Sequence, residues 1–271
     1  MGFYDDAGCG SRGSWQRQEG VGRRAEGHED GWRCLMRYLI TGASSGIGRA
    51  CAEVLSRDGH SLVLVARSED RLQSVRAALT NARAHEVVPC DLSSAVAIND
   101  LAARLVAGGK LNGLVHAAGV GLAAPIGFSD EALMAEVFNV NYFAFMRLMR
   151  QCTKTMLRGG AFSAVAIASI AALVGWSGVS VYAGSKGALC ASVRALAVEL
   201  ANKDVRVNAV CPGHTRTPML DETHADQLAA KQPLGIVDPL QVAEVVAFLM
   251  GHRAKQITGS VISVDAGYTA Q

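Results

Sequence analysis

Seven short apolar runs, nearly continuous in Val, Ile, Leu and Ala rather than alternating with polar residues, limit what this chain can fold into. They are RYLIT (37–41), SLVLVAR (61–67), HEVVPCD (85–91), GLVHAAG (113–119), AFSAVAIAS (161–169), VRVNAVCPG (205–213) and SVISVDAG (260–267). A strand that is apolar on both faces has to be covered on both faces, the condition of a parallel sheet between two layers of helices. Between the runs lie segments with apolar residues at i, i+3, i+4 spacing: 47–58, 69–80, 94–107, 130–157, 181–203 and 238–251. This alternation predicts a single-domain, Rossmann-type doubly wound α/β sheet of about seven parallel strands with helices on both faces.

Half of the 271 residues are hydrophobic, enough for one well-buried domain, and no internal repeat or linker divides residues 36–271. Residues 1–35 differ: rich in Gly, Arg, Asp and Glu, they have no apolar periodicity and read as a disordered leader. Since periodic sequence begins at Met36, that residue is the expected true start. A net charge of +2 with interspersed signs gives no footprint for nucleic acid or a membrane surface. No apolar run reaches the roughly 18–20 residues of a membrane span. Seven cysteines, scattered and never C-x-x-C, read as buried thiols of a reducing compartment, so a cytoplasmic protein with no metal site is expected.

TGASSGIG, Thr41 to Gly48, follows the first run and opens the first helical segment. Gly42, Gly46 and Gly48 permit a tight turn, close approach of backbone to a pyrophosphate, and close contact of helix with strand. The helix start supplies free N–H groups and partial positive charge, while Ser44, Ser45 and Ile47 complete the loop. Glycines also serve plain turns, but between strand and helix this spacing predicts a dinucleotide site. The second run ends in Ala66-Arg67 where a carboxylate would hold the ribose of NAD. A guanidinium suits a 2′-phosphate instead, so NADP(H) is the expected cofactor.

These features, with YAGSK (182–186), Ser169 thirteen residues before Tyr182, VNAVCPG and ITGSVISVDAG, resemble the short-chain dehydrogenase/reductase family over residues 36–271. Four residues make about one helical turn, so Tyr182 and Lys186 share a face. By itself such a pair is more often a solvated surface. In the company of the other motifs it reads as an acid/base site, the ammonium lowering a phenol that ordinarily titrates near pH 10.

The resemblance implies further roles. Tyr182 exchanges a proton with the substrate oxygen, Lys186 holds the nicotinamide ribose, Ser169 bonds the substrate oxygen, and Asn141 holds a water leading from Lys186 to solvent. Asp91 and Leu92 flank the adenine, Ala118 and Gly119 the adenosine ribose, and Pro212, Gly213 and Thr215 the nicotinamide. One departure stands out: HAAG, His116 to Gly119, replaces the family's Asn-Asn-Ala-Gly. His116 is expected to replace a structural hydrogen bond, not to act as a base.

The layout is most similar to 3-oxoacyl-[acyl-carrier-protein] reductases of fatty acid biosynthesis, implying NADPH-dependent reduction of a β-ketoacyl thioester. PMLDETHADQLAAKQP (218–233) is the expected substrate lid, helical in pattern and poor in aromatic residues. Arg194, Arg216 and Lys231 are candidate contacts for an acidic carrier protein. The alternatives are a sugar, polyol or other secondary alcohol as substrate, or a non-catalytic dinucleotide sensor. The resemblance also implies a homotetramer or homodimer assembled through the helices at 130–157 and 181–203.

Overall fold

The computed structural model describes residues 35–156, 161–220, 223 and 225–271. Except for Leu35, the expected leader lies outside the described residues. All seven apolar runs form strands: β1 Arg37–Thr41, β2 Ser61–Ala66, β3 Glu86–Pro89, β4 Gly113–His116, β5 Phe162–Ile167, β6 Val205–Pro212 and β7 Val261–Val264. They make one parallel sheet in the order β3-β2-β1-β4-β5-β6-β7. The strand order reverses between β1 and β4, which opens a crevice at the carboxyl ends of the strands.

The helices are α1 Gly46–Arg57, α2 Glu69–Ala78, α3 Ala95–Ala107, α4 Glu131–Phe138, α5 Ala144–Met156, α6 Ser180–Leu200, α7 Ala225–Ala229 and α8 Pro239–Met250. Alternate residues along β1 serve opposite layers. Leu39 joins the core under α3, α5 and α6; Tyr38 and Ile40 join the core under α1, α2 and α8. Continuous apolar strands are what two such cores require.

Two expectations are corrected. The segment 130–157 is not one regular helix, because a π-turn at Asn139–Phe143 separates α4 from α5. Asn141 in that turn is fully buried, four residues after the buried Val137 and four before the buried Phe145. Among the described residues of the lid the α-helix is confined to Ala225–Ala229, with Thr223 in a 3-10 turn.

Helix starts divide into two kinds. The N-caps Ser68, Ser94, Asp130 and Asp238 accept a hydrogen bond from their own helices' first turns, the usual way of satisfying orphan N–H groups. Ser45 at the start of α1 and Val179 at the start of α6 make no such bond. These two ends face the crevice. Gly42 (φ +68°) and Gly48 bring strand and helix together there: a Cβ on Gly48 would lie 2.3 Å from the Gly42 carbonyl oxygen.

The buried cysteines Cys51, Cys90, Cys152, Cys190 and Cys211 are not in disulfides. Among the described residues no helix is long and apolar enough to cross a membrane. None of these residues forms a cluster of His, Cys, Asp or Glu suited to a metal.

Candidate active site

The crevice is a cavity of about 800 Å³, within the range of cofactor and ligand sites. Every site residue expected from sequence faces it except Asn141, which is buried behind it. At one end lies the glycine loop. Because the Ser45 side chain does not cap α1, the first-turn N–H groups and the helix dipole are left for an anion, and Ser44 and Ser45 line the same wall. The residues present therefore fit a pyrophosphate.

Arg67 follows β2 on this side; hydrogen bonds from the Ser93 N–H and hydroxyl, and then the Arg67 charge, lower the Asp91 carboxyl. These Ser93 bonds, at 3.0 and 2.8 Å, make Asp91 a turn residue as well as a lining one. Leu92 is buried beside it. Sequence reading missed Arg71, which also lines the cavity. It stands four residues after Arg67, in the first turn of α2, a spacing that brings a second guanidinium to the same place.

At the other end Ser169 closes β5 and caps a 3-10 turn, its Oγ accepting from the Ala171 N–H at 3.1 Å. That leaves its hydroxyl proton available to the cavity. Tyr182 lies on the first turns of α6, with Lys186 buried one turn further on. Lys186 Nζ donates to the Ile167 carbonyl at 2.9 Å and sits 5.8 Å from the centre of the Tyr182 ring. Burial lowers the Lys186 ammonium to about 8. Burial is also the largest influence on Tyr182 and raises its phenol, against an opposing pull from the Ser169 hydroxyl. Sequence reading expects Lys186 to lower the phenol; here burial is the larger influence on Tyr182, and the ammonium is bonded to the Ile167 carbonyl.

Asn141 fastens this arrangement. Its Oδ1 accepts from the Val120 N–H at 2.8 Å, and its Nδ2 donates to the Val120 carbonyl and to Ser185 Oγ, both at 3.0 Å. Gly119 is where small size matters: a Cβ there would lie 3.2 Å from Asn141 Oδ1 and 3.3 Å from Lys186 Nζ.

His116 is fully buried, with Nδ1 3.0 Å from Thr41 Oγ1. The Ala118 N–H donates to that same hydroxyl. Burial first, and then the Lys186 charge, lower His116 to about 3. It joins β1 to β4 as a neutral structural group, in keeping with the reading of HAAG.

Pro212, Gly213 and Thr215 end β6 and continue the wall, Thr215 Oγ1 donating to the Gly213 carbonyl at 2.9 Å. Trp176 and His214 also face the cavity; no local pattern flagged either, since their meeting depends on the fold. Of the three basic residues proposed for a carrier, Arg216 and Lys231 are exposed on the lid side. Arg194 is not at the opening: its Cα is 3.9 Å from where a Cβ on Gly259 would sit. Gly259 leads into the amino end of β7, whereas the cavity lies at the carboxyl ends of the strands.

Residues 42–269 match the family described as enoyl-(acyl carrier protein) reductase. The chain is 34% identical over 231 residues to the 3-oxoacyl-[acyl-carrier-protein] reductase of Bos taurus, covering 84% of this chain and 95% of the relative. It is 33% identical over 240 residues to the cis-4-hydroxycyclohexanecarboxylate dehydrogenase of Sinomonas cyclohexanicum, covering 86% and 96%. A variant of actinorhodin polyketide ketoreductase, solved with NADPH, superposes with a TM-score of 0.83 at 30% identity, covering 89% of this chain and 99% of that one.

The Lys186 pKa has a stability consequence. Its folded value, about 8, lies below that of an unfolded lysine, about 10.4. Between these values the unfolded chain keeps a proton that the folded chain has released, so stability from this group rises with pH across the window. Denaturant unfolding is expected to show a rise, on the order of 3 kcal/mol between pH 7 and 10, in wild type relative to Lys186→Met. Parallel curves for the two proteins would contradict the lowered ammonium.

Proposed function

Since this chain belongs to the short-chain dehydrogenase/reductase family and is an oxidoreductase acting on CH–OH and C=O groups, we propose that it reduces a ketone to a secondary alcohol with NADPH. One observation carries the reading: Ser169, Tyr182 and Lys186 face the same cavity as an uncapped helix start. A bound nicotinamide would supply the hydride.

The chain's own groups do the rest. Tyr182, raised by burial, holds its proton at neutral pH and gives it to the carbonyl oxygen as negative charge develops there. Ser169, whose Oγ already accepts the Ala171 N–H, turns its hydroxyl proton to the same oxygen. Lys186 gives one N–H to the Ile167 carbonyl, and its remaining N–H groups would hold the nicotinamide ribose hydroxyls. Asn141 is a positioning residue: by binding Val120 and Ser185 it holds the β4 loop and α6 at a fixed spacing. Arg67 and Arg71 favour the 2′-phosphate of NADPH.

For the substrate, the similarity to 3-oxoacyl-[acyl-carrier-protein] reductase supports a β-ketoacyl thioester, with Arg216 and Lys231 available to an acidic carrier. The similarity to a cyclohexane-ring dehydrogenase supports a cyclic secondary alcohol as the second reading. The exposed Phe143, ending the π-turn just before α5, and Val198 on α6 support assembly of a homodimer or homotetramer through these helices.

NADPH absorbance followed with an acetoacetyl thioester and a panel of simple ketones tests the reaction. Tyr182→Phe is expected to lower kcat by about 100- to 10,000-fold with NADPH affinity unchanged. Near-normal turnover by that variant, or no turnover of any carbonyl by wild type, would refute it. Replacing both Arg67 and Arg71 by Ala is expected to raise KM for NADPH about tenfold or more and leave that for NADH nearly unchanged; equal effects would remove the arginines from cofactor choice.

A further inference from the structure

The substrate end of the cavity contains an aromatic feature that the lid sequence does not supply. Trp176, from the loop between β5 and α6, meets His214, from the loop after β6, with ring centroids 6.0 Å apart and planes at 46°. Tyr268, in the C-terminal turn, stands against both, 6.1 Å from Trp176 at 59° and 5.6 Å from His214 at 78°. Trp176 and His214 line the same cavity as Ser169 and Tyr182. The three rings come from segments far apart in sequence and meet at steep angles, giving a corner rather than a flat stack.

Two of these segments are held firmly. The His214 N–H donates to Gln232 Oε1 at 2.6 Å, and the His214 carbonyl accepts from Gln232 Nε2 at 3.2 Å and from the Val237 N–H at 2.9 Å. Gln232 is itself buried. The Tyr268 turn is pinned by Asp265, which accepts from the Gly267 N–H at 3.1 Å and from the Thr269 N–H at 2.9 Å. Burial and the nearby Lys231 charge lower the His214 imidazole, so it presents an uncharged ring at neutral pH. Val179 and Ile170 add apolar surface to the same lining.

We propose that Trp176, His214 and Tyr268 form an aromatic wall for the body of the substrate, and that the preferred substrate is a cyclic ketone. Its ring lies against Trp176 while its carbonyl reaches Ser169 and Tyr182. The inference rests on reading the cavity as a carbonyl-reductase site. A preformed corner favours a rigid ring for a physical reason: a ring fills it without freezing the rotors that a linear acyl chain must immobilise. Aromatic faces add attraction beyond the apolar area they cover.

The test uses the full chain carrying Trp15→Phe and Trp32→Phe, which leaves Trp176 as its one tryptophan. Cyclohexanol added to the NADP complex is expected to change that fluorescence saturably, at about tenfold lower concentration than the linear 2-hexanol. In turnover, kcat/KM for cyclohexanone is expected to exceed that for 2-hexanone about tenfold or more. Trp176→Ala is expected to remove most of this preference, lowering kcat/KM for cyclohexanone, through KM, about tenfold more than that for 2-hexanone. Trp176→Phe, which keeps a ring, is expected to retain it.

Unchanged NADPH affinity identifies a folded variant. If Trp176→Ala loses that affinity, the wild-type ketone ratio, the alcohol titration and Trp176→Phe decide. Equal losses for both ketones in a folded Trp176→Ala, or no wild-type preference for the ring, would overturn the wall. Absence of NADPH turnover with every ketone, while cyclohexanol still perturbs Trp176, would instead overturn the reductase reading and leave the wall standing.

Discussion

The amide of Asn141 is the fastening on which the site depends. It bonds both the N–H and the carbonyl of Val120 and reaches Ser185 on α6. Three separate pieces are thereby fixed to one another: the loop after β4, the π-turn, and the helix that carries Tyr182 and Lys186. Asn141 lies within the π-turn and is fully buried, in line with Val137 and Phe145. Hydrogen bonds of this kind contribute about 1 kcal/mol each, but leaving buried backbone groups unpaired costs about 1–3 kcal/mol apiece. The turn, the small Gly119 beside the amide and the close Lys186 ammonium therefore belong to a single arrangement.

The electrostatics of the site follow from burial more than from pairwise attraction. Lys186 is buried, donates to the Ile167 carbonyl, and has its ammonium lowered. Tyr182 is raised and stays neutral. His116, close to the same lysine, is held neutral far below its ordinary range, so no second cation joins Lys186 in the interior. A proton resting on a phenol beside the Ser169 hydroxyl is suited to neutralising an oxygen that gains charge only during reaction, which is the condition for selective stabilisation of a transition state.

The strands and the glycine loop were legible in the sequence because their signals are local. Continuous apolar runs marked all seven strands, and the spacing of Gly42, Gly46 and Gly48 fixed the site of closest backbone approach. Overreach came where a run outlasted its strand, at Ala117–Gly119 and Asp265–Gly267, since apolar or small residues leaving the sheet look like those within it. The π-turn was hidden because apolar periodicity continues across it. The tie between Lys186 and the Ile167 carbonyl was hidden for another reason: i, i+4 spacing gives a shared helix face but not what lies opposite. Trp176, His214 and Tyr268 were invisible as a group because only the folded sheet brings their loops together.

The central claim is that this cavity delivers hydrogen to a carbonyl carbon. The direct measurement uses NADPH fully deuterated at the nicotinamide C4, a ketone that the protein turns over, and mass spectrometry of the alcohol. The account predicts one deuterium on the carbinol carbon and none when the cofactor is unlabelled and the solvent is heavy water, once exchangeable and enolisable positions are discounted. Alcohol formed with solvent hydrogen at that carbon would contradict it.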